Sequence, residues 1–120
     1  MPVRIDQQVK PPTRSTLRSY GLTAEAWMAI CRRQGWRCPV CSEPLGARKL
    51  AVDHEHVKGF KAHKKRRGRR VRSMSQEERV GHVRGVLHAY CNRFVRSWLT
   101  IARAERILRY LEGHERRRDK

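Results

Sequence analysis

Two short steps of metal-binding residues constrain this chain more than any other feature. Cys38-Pro39-Val40-Cys41 places two thiols three residues apart, in a stretch punctuated by Pro39, Pro44 and Gly46. A Cys-x2-Cys step lets both thiolates reach one ion from a single turn. His88-Ala89-Tyr90-Cys91 repeats the spacing further along, with one imidazole and one thiol. Cys38, Cys41, His88 and Cys91 together make a Cys3His set for a structural Zn2+ that closes a long loop. Cys31 is the alternative to His88 as fourth ligand. It also lies on a helical stripe with Trp27 and Ile30, which reads as a buried core thiol.

The need for such a staple follows from size. The chain has 120 residues, 38% of them hydrophobic, which suits one domain with a small core. Lys and Arg number 29 against 11 Asp and Glu, a formal charge of +18. That excess self-repels and calls for a polyanionic partner, with nucleic acid the leading candidate. No long apolar run marks a membrane partner, and no signal peptide opens the chain. An intracellular setting keeps thiols reduced, so four cysteines point to metal before disulfides.

Residues 1–15 lack apolar periodicity and read as a flexible basic arm. Thr23 is placed to cap a helix, with Glu25 in its first turn, Leu22 packing on Trp27 and Gly35 as its stop. Leu50-Ala51-Val52 alternates as a strand does, and runs into Asp53-His54-Glu55-His56. Four consecutive titratable side chains mark that segment as candidate chemistry: a carboxylate holds a hard cation, and an imidazole takes a proton near neutral pH.

A basic insertion spans 57–82. Between Lys61 and Arg72, eight of twelve residues are Lys or Arg and none is acidic, so the block is expected to be loose until it meets phosphates. Ser75-Gln76-Glu77-Glu78 is a capping-box pattern opening one or two helical turns that end near Gly81. Val83–His88 reads as a second strand, with Gly85 allowing close backbone approach. Helical spacing returns from Cys91, with Val95, Trp98, Leu99 and Ala102 on one stripe and Ala104, Leu108 and Leu111 continuing an apolar face. One bent helix, or two with the second starting at Thr100, both fit. Gly113 is the expected stop, with 114–120 a basic tail. That face is expected to be core, with part left for a second copy of the chain. Asn92, directly after Cys91, would be held rigidly by the zinc and able to bind a second cation together with Asp53; it could equally be a helix cap.

In their order, Tyr20-Gly21-Leu22-Thr23, Gln34-Gly35, Cys38-x2-Cys41, Asp53-His54-Glu55-His56, Val83-Arg84-Gly85-Val86-Leu87 and Cys91-Asn92 resemble the recombination endonuclease VII family of phage HNH nucleases. The resemblance spans roughly residues 17–97. It implies an α+β chain with a ββα-metal (His-Me finger) core over 16–113, stapled by zinc and flanked by an N-terminal helix and one or more C-terminal helices. It implies a metal-dependent DNA endonuclease for branched or distorted DNA such as Holliday junctions. His54 would be the general base, Asp53 and Asn92 the ligands of a catalytic Mg2+ or Mn2+, and His56 an assistant at phosphate or metal. Lys64, Lys65, Arg66, Arg67, Arg69, Arg70 and Arg84 would grip the DNA backbone. A phage-encoded protein of this kind would work in the cytoplasm of its bacterial host.

The chain departs from the family pattern at His88, where Cys is usual, and at Val95, where some members carry Glu. Its insertion is longer than expected, and the segment after the module is short for a resolvase. Two other functions stay open: a nicking or site-specific HNH enzyme of phage DNA packaging or a mobile element, and a zinc DNA-binding module without catalysis.

Overall fold

Thr13 and Thr23 each accept a hydrogen bond from the backbone three residues on, and so open the first two helices. These are α1 (Arg14–Ser19) and α2 (Ala24–Arg33). The computed structural model of the chain describes residues 9–64 and 66–118, with the side chains of residues 63, 64, 66 and 70 outside that description. α1 was not expected. Its Leu17 and the preceding Val9 are buried in the core, so the basic arm gives way to packed chain from residue 9; residues 1–8 lie outside the described part. Apolar burial explains the difference: Val9 and Leu17 each contribute where two isolated residues carry no visible period.

α2 follows expectation. Trp27, Ile30 and Cys31 share its buried face, and Leu22 joins the same cluster. A 3-10 turn at Leu45–Ala47 then leads to β1 (Leu50–His54), which pairs antiparallel with β4 (Val83–His88). Val52, Val86 and Leu87 are buried in the core cluster. Gly85 is there for clearance. A Cβ on it would meet Gln34 Oε1 at 2.7 Å, and that Gln34 amide accepts from Val86 N–H at 2.9 Å and donates to Val86 C=O at 2.8 Å. Gln34 thus completes the backbone bonding of β4 on its open edge and ties the end of α2 to the sheet.

The basic insertion is more structured than its charge suggested. Phe60 is buried. β2 (His63–Lys64) pairs with β3 (Arg70–Val71) across a turn at Arg66–Gly68, and Arg72 donates to Phe60 C=O at 2.9 Å. An apolar anchor and a short ladder hold a segment in which Lys61, Arg67 and Arg69 face water. Lys65 lies outside the described residues, as do the side chains of Lys64, Arg66 and Arg70; Arg67 and Arg69 are exposed. Ser75 opens α3 (Gln76–Val80) as expected: its hydroxyl accepts from Glu78 N–H, and it donates to the Glu78 carboxylate rather than Glu78 reaching the Ser75 backbone. Arg79 on α3 is buried and donates to Met74 and Arg18 carbonyls, which links α3 to α1.

The C-terminal third follows the two-helix alternative and corrects the expectations for Gly113 and for the apolar face. α4 (Ala89–Asn92) is a single turn, and α5 (Ile101–Arg118) is a separate helix opened at Thr100, whose hydroxyl accepts from Arg103 N–H. Gly113 does not end it. A glycine inside a helix costs about 1 kcal/mol against alanine, and Arg116, Arg117 and Arg118 offset this at the negative end of the helix dipole. No residue of α5 is buried, and Ile101, Leu108 and Leu111 are exposed, so the α5 part of the face read as core meets solvent, while Val95 before it packs against the core. The chain is therefore a mixed α+β structure with helices around small antiparallel sheets. Among the described residues, no helix is long and apolar enough to cross a membrane.

Candidate functional site

The four expected zinc ligands converge. The ligand atoms of Cys38, Cys41, His88 and Cys91 all lie within 4.8 Å of one another, and a tetrahedral Zn–thiolate site needs separations of about 3.8 Å. Cys31 is outside the group and fully buried; burial pushes its thiol up to about 11. His88 is set up as a ligand by its second nitrogen. Nε2 donates to the Pro44 carbonyl at 2.9 Å, which leaves the Nδ1 lone pair 3.2 Å from Cys41 Sγ. Burial opposes ionisation of Cys38, yet backbone bonds from Cys41, His88 and Val40 and the Cys41 thiol hold its pKa below the ordinary value. Burial and the Cys41 and Cys38 side chains push Cys91 up to about 11. Three crowded thiols of this kind fit one divalent soft-ligand ion, and Zn2+ suits the set.

That centre staples the first loop to the end of β4. His88 pairs with Leu50 at one end of the β1–β4 ladder, while Asp53 and His54 lie at the other. The ladder slips between them: Asp53 faces Gly85 and His54 faces Val83, which leaves Arg84 as the extra residue of a bulge. Consecutive strand residues point to opposite faces, and Asp53 and His54 are both buried, so this end of β1 is covered on both faces.

The histidine is held firmly. His54 Nδ1 donates to the Glu55 carbonyl at 2.9 Å, which leaves Nε2 with its lone pair. Its ring stacks on Phe60 with centroids 4.0 Å apart and planes 3° from parallel, and Tyr20 and His56 flank it at 5.7 and 5.0 Å. His56 lines a cleft of about 340 Å³ with Asn92, Lys61, Arg93, Arg96 and Ser97. Desolvation first, then repulsion from His54, Arg84 and Lys61, lowers its pKa.

Asp53 departs from expectation. Arg84 Nε and Nη2 donate to its two carboxylate oxygens at 2.8 and 2.9 Å, and Nη2 also reaches the Val95 carbonyl at 3.0 Å. The bond to Asp53 pushes the guanidinium pKa up, against the effect of burial. Arg84, expected on DNA, is thus occupied within the fold. Asp53 and Arg84 line a cleft with Val95, Leu99 and Ile101, separate from the one that holds Asn92 and His56. The structure brings His54, His56 and Asn92 to one side and turns the Asp53 carboxylate to Arg84. Asn92 ends α4 rather than capping its start.

The model of the recombination endonuclease VII family matches residues 13–113. The chain belongs to the recombination endonuclease VII family. It is 35% identical over 83 residues to the Gene 59 protein of Mycobacterium phage D29 and 30% identical over 83 residues to that of Mycobacterium phage L5. Each match covers 68% of this chain and 37% of the relative, so the chain spans well under half the length of these phage proteins. No solved structure matches it significantly.

Within this endonuclease VII member, sequence reasoning missed the parts played by Phe60 and Arg84 and the edge-completing role of Gln34. A lone aromatic just before a run of cations was the available sign of Phe60. The Arg84 pairing had none, because a bulge leaves no mark in residue order.

Proposed function

We propose that this chain is a metal-dependent DNA endonuclease with a ββα-metal (His-Me finger) core that hydrolyses phosphodiester bonds in branched or otherwise distorted DNA. One observation carries the reading: His54 donates through Nδ1 to Glu55 and is pinned on Phe60, so Nε2 is free to accept a proton. An imidazole in that state, at the end of a strand beside a basic cleft, is a general base chosen in advance. His54 removes a proton from water, the hydroxide attacks the scissile phosphorus, and the P–O3′ bond breaks, leaving a 5′ phosphate and a 3′ oxygen that takes its proton from solvent. His56, whose pKa desolvation and the neighbouring His54, Arg84 and Lys61 lower, hydrogen-bonds phosphate. Lys61, Arg93 and Arg96 around the cleft neutralise the backbone, and Arg67 and Arg69 extend that grip.

Asp53 and Asn92 would be the oxygen donors for Mg2+ or Mn2+ once the Asp53 carboxylate turns from Arg84 toward the Asn92 cleft, since the two side chains line separate clefts here. Their chemistry suits a hard cation, and the two bonds from Arg84 leave part of the roughly four-bond accepting capacity of a carboxylate. When bound, such an ion supplies charge stabilisation at phosphorus and at the leaving oxygen. Zinc at Cys38, Cys41, His88 and Cys91 has a closed ligand set and serves the fold.

The binding-only reading has an observation of its own, since Arg84 occupies both oxygens of Asp53. One comparison decides. Wild type and His54→Ala are incubated with a four-way junction, a flap and a linear duplex in Mg2+. The expected result is cleavage of branched substrates first, and a loss of about 10²–10⁴-fold in His54→Ala with binding retained. Undiminished cleavage by His54→Ala would remove this mechanism. Binding by wild type with no Mg2+-dependent cleavage would favour the module, and cleavage of duplex equal to junction would favour a nicking or site-specific enzyme.

A further inference from the structure

Two large aromatic rings, Tyr90 and Phe94, stand in water close to Arg93. Tyr90 is 54% exposed and Phe94 56%. They meet edge to face, with centroids 5.4 Å apart and planes at 68°. The Arg93 guanidinium sits 4.4 Å from the Tyr90 centroid, and Arg93 also lines the cleft with Asn92 and Arg96. One side chain therefore links the rings to the place where a phosphate would lie. The backbone that carries the rings is tied down, because Tyr90 directly precedes Cys91 of the metal-ligand set and Phe94 N–H bonds back to the Cys91 carbonyl.

Flat apolar rings left in solvent beside cations match the surface that single-stranded nucleic acid uses, with bases on rings and phosphates on cations. A second copy of this chain fits the patch poorly. A two-fold contact there would set Arg93 and Arg96 against their own equivalents in a chain of charge +18. DNA has the opposite charge. A fully paired duplex offers only base edges, because its base faces are covered by their neighbours. The rings gain their full contact area only from a base that has lost its stacking.

The geometry points to a stacking platform: Tyr90 and Phe94 receive an unpaired DNA base next to the phosphate bound in the His56–Asn92 cleft. The platform deepens the nuclease reading and rests on it for the position of the cut, giving branched or bulged DNA its advantage through base faces rather than sequence.

The test uses the full chain, with no Mg2+ added and no chelator, so that zinc is kept. Two fluorescent 30-nucleotide probes are compared by anisotropy: a fully paired duplex, and the same duplex with a three-nucleotide bulge carrying 2-aminopurine. Wild type should bind the bulged probe more tightly and quench its 2-aminopurine. Tyr90→Ala/Phe94→Ala should lose roughly tenfold on the bulged probe, the size of one stacked base, and less than twofold on the duplex. Phe94→Tyr should restore what Phe94→Ala loses, and Phe94→Leu, apolar but not flat, should not. Should the double variant lose zinc, the Phe94 series decides alone.

Equal loss on both probes would overturn the proposal, as would unchanged binding of the bulged one. So would loss of a dimer in sedimentation with DNA binding intact, which would assign the rings to a second copy. His54→Ala separates the two readings. On the nuclease reading it lowers cleavage by about 10²–10⁴-fold and leaves the probe preference untouched, so either result can fail alone.

Discussion

Arg84 grips both carboxylate oxygens of Asp53, Nε to Oδ2 at 2.8 Å and Nη2 to Oδ1 at 2.9 Å. The pair exists because the β1–β4 ladder skips Arg84 between the Asp53–Gly85 and His54–Val83 pairs. It fixes the orientation of the one carboxylate best placed to hold a cation, and it sets a guanidinium in competition for that carboxylate.

Breaking this pair should destabilise the fold moderately. Arg84→Ala leaves a carboxylate with 9% side-chain exposure without its partner, but Arg84 itself is 42% exposed and water screens part of the interaction. The expected cost is about 1–2 kcal/mol, below the range for a fully buried pair. Arg84→Lys should recover only part, since an ammonium cannot hold two oxygens in parallel. Urea midpoints at pH 7 and fixed zinc measure it.

The zinc centre should be coupled to folding. Cys38→Ser or Cys91→Ser is expected to lose stoichiometric zinc together with native far-UV circular dichroism. Cys31→Ala should keep the metal, because Cys31 stands outside the cluster. A folded, zinc-free Cys38→Ser protein would refute the assignment.

Cys31 also gives an alkaline signature. Its pKa is raised by burial from 9.0 to about 11 in the folded chain. Below pH 9 both folded and unfolded thiols are protonated and the contribution is full. Between pH 9 and 11 only the unfolded thiol ionises, so stability falls as pH rises, by up to about 2–3 kcal/mol. Denaturant midpoints at pH 8 and 10.5 should converge less steeply in Cys31→Ala than in wild type.

Gln34 and Gly85 should be energetically coupled. Gln34→Ala strips the Val86 N–H and C=O of their side-chain partner in a part-buried setting, at about 1–3 kcal/mol. Gly85→Ala forces the same amide aside, because its Cβ would lie 2.7 Å from Gln34 Oε1. The double variant should therefore cost clearly less than the sum of the singles. Additive losses in a double-mutant cycle would show that the close approach is relieved some other way.

Phe60 should matter to His54 beyond its burial. Phe60→Leu keeps an apolar side chain and loses the parallel ring under the imidazole. Stability is expected to fall by about 1 kcal/mol, and cleavage by about tenfold with DNA affinity unchanged. Equal activity in the two proteins would make Phe60 a packing residue only.

Residue order alone determined whatever depends on short spacing. The Cys38–Cys41 and His88–Cys91 steps named the metal set because a tetrahedral ion needs ligands a few residues apart. Thr23 and Ser75 announced their helices because a cap acts on the next turn, and Gly85 announced a close approach. Tertiary structure decided what depends on distant partners. A one-residue bulge turned Arg84 from a DNA contact into the partner of Asp53. Burial of Phe60 gave a cationic insertion an anchor beneath His54. The apolar stripe of α5 was legible, but its exposure was not, because a stripe records which residues avoid water and leaves open whether the rest of the chain covers them.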